Sequence, residues 1–150
     1  MIESFLHVAD IASEKLDPAA ALNFVADPGF GGATLFVGRV RDLNHGRSVL
    51  AVSYDIHRPL ALARFAAIAA EIENEFGQRL KLFIAHAHGR LAVGELAVVV
   101  AAGTPHRDEA FRACRQAIEA VKHSAPIWKQ EHYADGDSAW SEGCSLCETE

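Results

Sequence analysis

The sequence predicts an α+β domain built on a largely antiparallel sheet, and three observations carry that expectation. Apolar residues recur at helical spacing in two long segments: Phe65, Ile68, Ile72 and Phe76, then Ala110, Ala113, Cys114, Ala117, Ile118 and Val121. Around them lie short β-rich runs, and Leu96 to Ala102 is so continuously apolar that it should be buried on both faces. Read in order, the elements run β-α-β-β-α-β-β-α-β, which mixes hairpins with crossovers and leaves the strand order open.

Residues 2–8 read as a first strand. Asp17-Pro18 supplies an N-cap and a proline at the first helical position, opening a short helix over about 18–25 that Asp27-Pro28-Gly29 closes. Gly31-Gly32 precedes a strand over 33–41, in which alternation puts Leu35, Val37, Arg39 and Arg41 on one face. That strand leaves the core and enters a charged region, and Gly38 within it marks a bulge or a close backbone approach. Asn44-His45-Gly46 is a turn, and the chain resumes as a strand over 48–56, so that 33–56 forms a hairpin with an extended basic loop. A helix from about Pro59 ends at Phe76 with Gly77 in the C′ position. Strands follow at 80–86 and 96–102, with Gly89 and Gly94 as punctuation. Thr104 as N-cap and Pro105 at the first helical position open the last helix. Pro126 then forces extended backbone at Ala125, and 127–133 is the final strand.

A chain of 150 residues with 50% hydrophobic and 23% charged content makes one domain with a real core. Residues 1–140 are read as that domain and 141–150 as a polar tail. The formal net charge of −6 excludes a broad nucleic-acid surface. No apolar run approaches the roughly 20 residues of a membrane span, and the N-terminus lacks the features of a signal peptide, so the expected location is cytoplasmic. Three cysteines make no disulfide framework. Cys114 lies on the core stripe; Cys144 and Cys147 form a single C-x-x-C, too few ligands for a zinc site.

Against the acidic total, cations gather in three places. Arg39, Arg41 and Arg47 fall within nine residues with His45 among them, which suits a small anionic ligand. Arginine brings fixed, permanently charged donors that match phosphate. His106-Arg107 stands at the first turn of the last helix, where free N–H groups and the helix dipole already favour an anion. Lys122 and Lys129, two of only four lysines in the chain, flank Pro126 seven residues apart. From spacing alone, a helix C-terminal cation and a solvent-facing strand lysine are the simpler account of that pair. If instead the turn brings the two ammonium groups together, each lowers the pKa of the other, and a lysine so placed can act as acid, base or nucleophile. Arg107 and Lys122 lie about 22 Å apart along one helix at 1.5 Å per residue. They can serve one small ligand only if the helix breaks or two copies of the chain contribute, as in a two-fold dimer. Trp128 points opposite to Lys129 and is read as a packing residue. His86 and His88, with no carboxylate at ligand spacing, are read as structural or surface residues.

Four separated segments resemble the large, catalytic subunit of the molybdopterin synthase family. They are Phe36-Val37-Gly38-Arg39-Val40-Arg41-Asp42-x-Asn44-x-Gly46-Arg47, Gly89-x-Leu91-x-Val93-Gly94-Glu95, His106-Arg107-x-Glu109-Ala110-Phe111, and Lys122-x-x-x-Pro126-Ile127-Trp128-Lys129-x-Glu131. The resemblance spans roughly residues 31 to 140 in the family order. It implies an α/β hammerhead-type fold, a homodimer of large subunits and a small ubiquitin-like sulfur-carrier subunit at each end, giving a heterotetramer. The carrier's C-terminal Gly-Gly thiocarboxylate would enter a pocket, and sulfur would pass to cyclic pyranopterin monophosphate to form the dithiolene of molybdopterin, without metal or organic cofactor. Lys122 matches the family's essential lysine, Lys129 its second pocket lysine and Arg41 its pocket arginine. His106 and Arg107 match contacts to the pterin phosphate that come from the neighbouring subunit. The chain departs from the family pattern at Ala87-His88, at Gln130 and around Asp55-Ile56-His57-Arg58-Pro59-Leu60. A non-catalytic dimeric module that docks a ubiquitin-like tail or a small anion is the alternative.

Overall fold

A computed structural model describes residues 1–141. Cys144 and Cys147 lie outside the described residues. The elements are β1 (Glu3–Asp10), α1 (Pro18–Phe24), β2 (Gly32–Arg39), β3 (Leu43–Asn44), β4 (Arg47–Ile56), α2 (Arg58–Phe76), β5 (Lys81–Ala92), β6 (Leu96–Thr104), α3 (Arg107–Ser124), β7 (Ile127–Tyr133) and β8 (Ser138–Ser141). The α+β class is as the sequence predicts, with the two-residue β3 and the four-residue β8 added to the expected order. No helix among the described residues is long and apolar enough to cross a membrane.

The sheet runs β2-β6-β5-β4-β7-β8, with β1 alongside β5 and β3 alongside β4. Every pairing is antiparallel except β1 with β5. β5 organises this arrangement because it changes partners along its length. Its first part, from Lys81, lies between β1 and β6, and Gly89–Ala92 pairs with β4. Alternation then sends its side chains to two cores. Leu82 and Ile84 join Val98, Val100 and Ala102 beneath Phe65, Ile68 and Ile72 of α2 and the Ala113, Cys114, Ala117 and Val121 stripe of α3. Phe83, Ala85 and Ala87 join Val99, Ala101, Val25 of the α1 end, and Val52 and Leu91 on the other side. β6 is accordingly buried along almost its whole length, as its unbroken apolar run requires.

The expected hairpin between the strands at 33–41 and 48–56 does not form. Among the described residues β2 pairs only with β6, whereas β4 pairs with β5 and β7. A small hairpin replaces it, closed by His45 and Gly46 at positive φ, with Asn44 opposite Arg47. The last helix also starts later than predicted. Thr104 stays in β6 opposite Gly32, and Pro105 O accepts from Gly31 N at 3.0 Å, so β2 holds both residues extended. His106 becomes the N-cap without a side-chain cap bond, and Thr104 Oγ1 instead donates to His106 O at 2.6 Å. The first strand is longer than predicted, and Gly89, at φ 118°, lies within β5 rather than ending it. Gly77 closes α2 as expected, its N–H donating to Glu73 O.

Two glycines permit close approaches. At Gly38 the β2–β6 register shifts, and a Cβ would stand 2.6 Å from Val98 Cγ1, so both the bulge and the tight contact exist. At Gly103 a Cβ would stand 2.1 Å from Val25 O, a backbone atom that cannot rotate away. Gly103→Ala should therefore lower the unfolding free energy by about 2 kcal/mol or more, the usual cost of forcing an atom into a filled core. Chemical denaturation measures it, and a wild-type midpoint would mean that α1 does not sit on β6 as described.

Candidate active site

The site begins with the chain reversal that joins α3 to β7. Helix α3 ends at Ser124, whose hydroxyl accepts from Arg64 Nε of α2 at 2.7 Å and donates to Ala120 O at 2.5 Å. Ala125 N donates to Val121 O at 3.1 Å, Ile127 N donates to Ala125 O at 2.8 Å, and Ala125 and Ile127 are buried. The last turn of α3 is thus fixed to the first residues of β7. Lys122 on one side of the reversal and Lys129 on the other line one cavity.

The β4–β7 register builds the floor. Tyr54 lies opposite Lys129 and Val52 opposite Glu131, while Ser141 and Ala139 of β8 lie opposite the same two residues of β7. Residues opposite one another in an antiparallel pair share a face, so these side chains point the same way. The segment after the Gly38 bulge and the β3 hairpin supply the wall. The result is a cavity of about 210 Å³ whose lining includes Arg39, Arg41, Lys122, Lys129, Tyr54 and Glu131. Arg41, far away in the sequence, lines the same cavity as Lys122 and Lys129. Arg39 lines it too, with Nη1 donating to Gly94 O at 3.0 Å.

His106 and Arg107 do not. They are exposed at the opposite end of the unbroken 18-residue α3, about 22 Å from Lys122 at the helical rise. The first turn also carries Asp108 and Glu109, with Asp108 paired to Arg112, so acids already complement the helix dipole there. Trp128 points away from the pocket as alternation requires, but it is 39% exposed and is not the packing residue expected.

The electrostatics separate the two lysines. Lys129 Nζ pairs with Glu131 Oε1 at 3.1 Å, with the two side chains only 22% and 7% exposed. In so little solvent the pair is weakly screened, and Glu131 tethers the end of the Lys129 side chain. Lys122 is half-buried beside His86, which is 3% exposed. Burial pushes His86 down to about 4; its bond to the Ala87 carbonyl opposes this and the charge of Lys122 adds to it. His86 is therefore neutral at pH 7. A carbonyl only accepts, so Nδ1, 2.8 Å from Ala87 O, carries the proton. Tyr54 packs edge-on against His86 at 4.8 Å, and burial, then the Glu131 charge, pushes its phenol up to about 12. At the back, Tyr133 is held by Asn44 Nδ2, which donates to its hydroxyl at 2.9 Å, and by the Arg47 guanidinium 3.7 Å over its ring.

Sequence reasoning passed over Tyr54 and assigned no role to Glu131, Asn44 or Tyr133. Glu131, two residues after Lys129 on a strand, was detectable by alternation alone. Tyr54 required knowing that β4 pairs with β7.

Fold and site together define an α+β protein with a largely antiparallel sheet and a pocket lined by arginines and lysines, of a size for a small ligand. The family model of the MoaE protein matches residues 11–124, and the chain belongs to that family. It is 42% identical to the molybdopterin synthase catalytic subunit of Synechococcus elongatus, over 95% of this chain and 86% of that one. It is 44% identical to the subunit of the same description from Nostoc sp., over 79% and 73%. The molybdopterin synthase crystal structure from Staphylococcus aureus superposes with a TM-score of 0.81 at 29% identity, covering 93% of this chain and 96% of that one. A Helicobacter pylori chain, solved as a protein–protein complex of subunit 1 and 2 of molybdopterin-converting factor, shares the fold with a TM-score of 0.69 at 21% identity, over 93% and 89%. The fold class expected from the resemblance is the one these structures have.

The buried neutral His86 gives a testable pH dependence. Its folded pKa lies below the unfolded value, so the unfolded chain binds the extra proton first. The associated stability is complete above about pH 6.5 and is lost as pH falls towards about 4, by up to about 3 kcal/mol. His86→Gln should flatten that part of the stability–pH curve, measured by urea titrations between pH 7 and pH 4.5. Parallel curves for the two proteins would contradict a neutral buried His86.

Proposed function

We propose that the chain, as a sulfur-transferring catalytic subunit of molybdopterin synthase, receives a small ubiquitin-like carrier whose thiocarboxylated Gly-Gly tail enters the pocket. Its second reactant is cyclic pyranopterin monophosphate. The convergence of Arg41, Lys122 and Lys129 on one cavity, in a member of this family, is the observation that supports the reading most.

The chemistry asks for what the pocket offers. A cyclic phosphate carries negative charge that a cluster of cations holds, and charge grows as the ring opens, where fixed cations stabilise the transition state most. Arg41 suits the phosphate because its donors are forked and always charged. Lys129, locked to Glu131, supplies fixed positive charge. Lys122, at the end of α3 and beside a neutral imidazole, is the group able to move a proton or act transiently as a nucleophile. Each transfer forms a carbon–sulfur bond on the pterin side chain as a carbon–oxygen bond at the same carbon breaks; water then cleaves the acyl–sulfur bond, leaving the sulfur on the pterin and releasing the carrier tail as carboxylate.

In this reading His106 and Arg107 reach the phosphate of a neighbouring copy's pocket, and the chains act as a homodimer within a heterotetramer. The exposure of both residues and their distance from Lys122 support a contribution in trans. Lys122→Ala should keep the fold and bind carrier normally, yet lower molybdopterin formation from purified precursor and thiocarboxylated carrier by about a hundredfold or more. A normal yield would remove Lys122 from catalysis and favour a docking module.

A further inference from the structure

Tyr54 stands where the two lysines converge, yet no part of the sulfur-transfer account uses it. It lies opposite Lys129 in the β4–β7 register and lines the same cavity as Lys122, Lys129 and Arg41. Its ring is packed from beneath by the edge-on imidazole of the buried His86, and it sits at the seam of the two hydrophobic cores. The ring therefore has one place to be. Its hydroxyl, by contrast, makes no hydrogen bond to any described residue, although the chain satisfies the neighbouring polar groups: Glu131 holds Lys129, Asn44 holds the Tyr133 hydroxyl, and Ala87 O holds His86. That hydroxyl belongs to a partly exposed residue on the cavity wall, so a ligand in the cavity can accept its hydrogen bond in place of water.

Resting on the sulfur-transfer reading, we infer that Tyr54 is a further substrate-contacting residue, its hydroxyl donating a hydrogen bond to an anionic oxygen held between Lys122 and Lys129. Burial and the Glu131 carboxylate keep the phenol protonated throughout the physiological range, so it is always a donor. A neutral donor complements the lysines. It supplies direction where they supply charge, and it adds nothing to the repulsion among Arg41, Lys122 and Lys129. Two reactants carry such an oxygen, the cyclic phosphate of the pterin and the thiocarboxylate of the carrier tail.

Tyr54→Phe removes the oxygen alone and keeps the ring on His86. Steady-state kinetics with each reactant varied in turn should show kcat/KM reduced about tenfold or more, the effect of losing a hydrogen bond to a charged acceptor. A loss confined to the pterin assigns the phosphate, and a loss confined to the carrier assigns the thiocarboxylate. The melting temperature should match the wild type, because the hydroxyl holds nothing in the fold. Unchanged kcat/KM towards both reactants in a variant whose wild-type parent is active would overturn the inference and leave the sulfur-transfer reading standing. A fall in melting temperature alongside the lost activity would also overturn it, since the hydroxyl would then be structural. Wild-type protein unable to transfer sulfur would overturn both.

Discussion

The reversal at Ala125-Pro126 is the constraint on which the site depends. Helix α3 is held on the sheet by a small-residue stripe, Ala113, Cys114 and Ala117, that lets it lie close to β6. Its end is tied to α2 through Arg64 and Ser124. With proline barring further helix, the chain must leave extended, and the buried Ala125 and Ile127 allow it one path. That path sets the position of Lys122 relative to Lys129. Two cations that would repel as mobile surface groups become neighbours because packing, rather than their own attraction, fixes the backbone beneath them.

The pocket then manages its own charge. Glu131 neutralises one lysine within the floor, His86 stays uncharged through burial, and Tyr54 remains a neutral phenol. Arg39, Arg41 and Lys122 line the cavity together with Lys129, a local positive field in a protein whose total charge is −6. Such a local field draws a small anion without making the molecule a polyanion binder. The back wall is held by contacts that do not face the ligand, Asn44 on Tyr133 and Arg47 between Tyr133 and the carboxylates of Asp135 and Asp137.

Helices were the most legible part of the sequence because periodicity is local: the stripes of α2 and α3 are buried as read except for the half-exposed Phe76, and Gly77 ends α2 where its neighbours predicted. Strand pairing was not legible. β2 and β4 are adjacent in sequence and look like a hairpin, yet they pair with β6 and with β5 and β7, choices decided by burial across the whole sheet. The misplaced helix start at Thr104 has the same origin, since the partner that keeps Thr104 extended is Gly32, far away in the chain. The same division holds at the site. Arg41, Lys122 and Lys129 stood out by charge and scarcity, and the family resemblance gave them roles. Tyr54, and the buried position of His86 beside Lys122, became visible only when β4, β5 and the end of α3 were placed side by side.

The central claim is that one pocket needs two chains, because Lys122 and the His106-Arg107 pair occupy opposite ends of a rigid helix. Heterodimers assembled from Arg107→Ala chains and Lys122→Ala chains test it most directly, with sulfur transfer measured against each parental homodimer. In a shared site, half of the pockets in the heterodimer combine an intact Lys122 with an intact Arg107, so activity should return to about half that of the wild type. Heterodimers as inactive as their parents would contradict a pocket completed by a second chain.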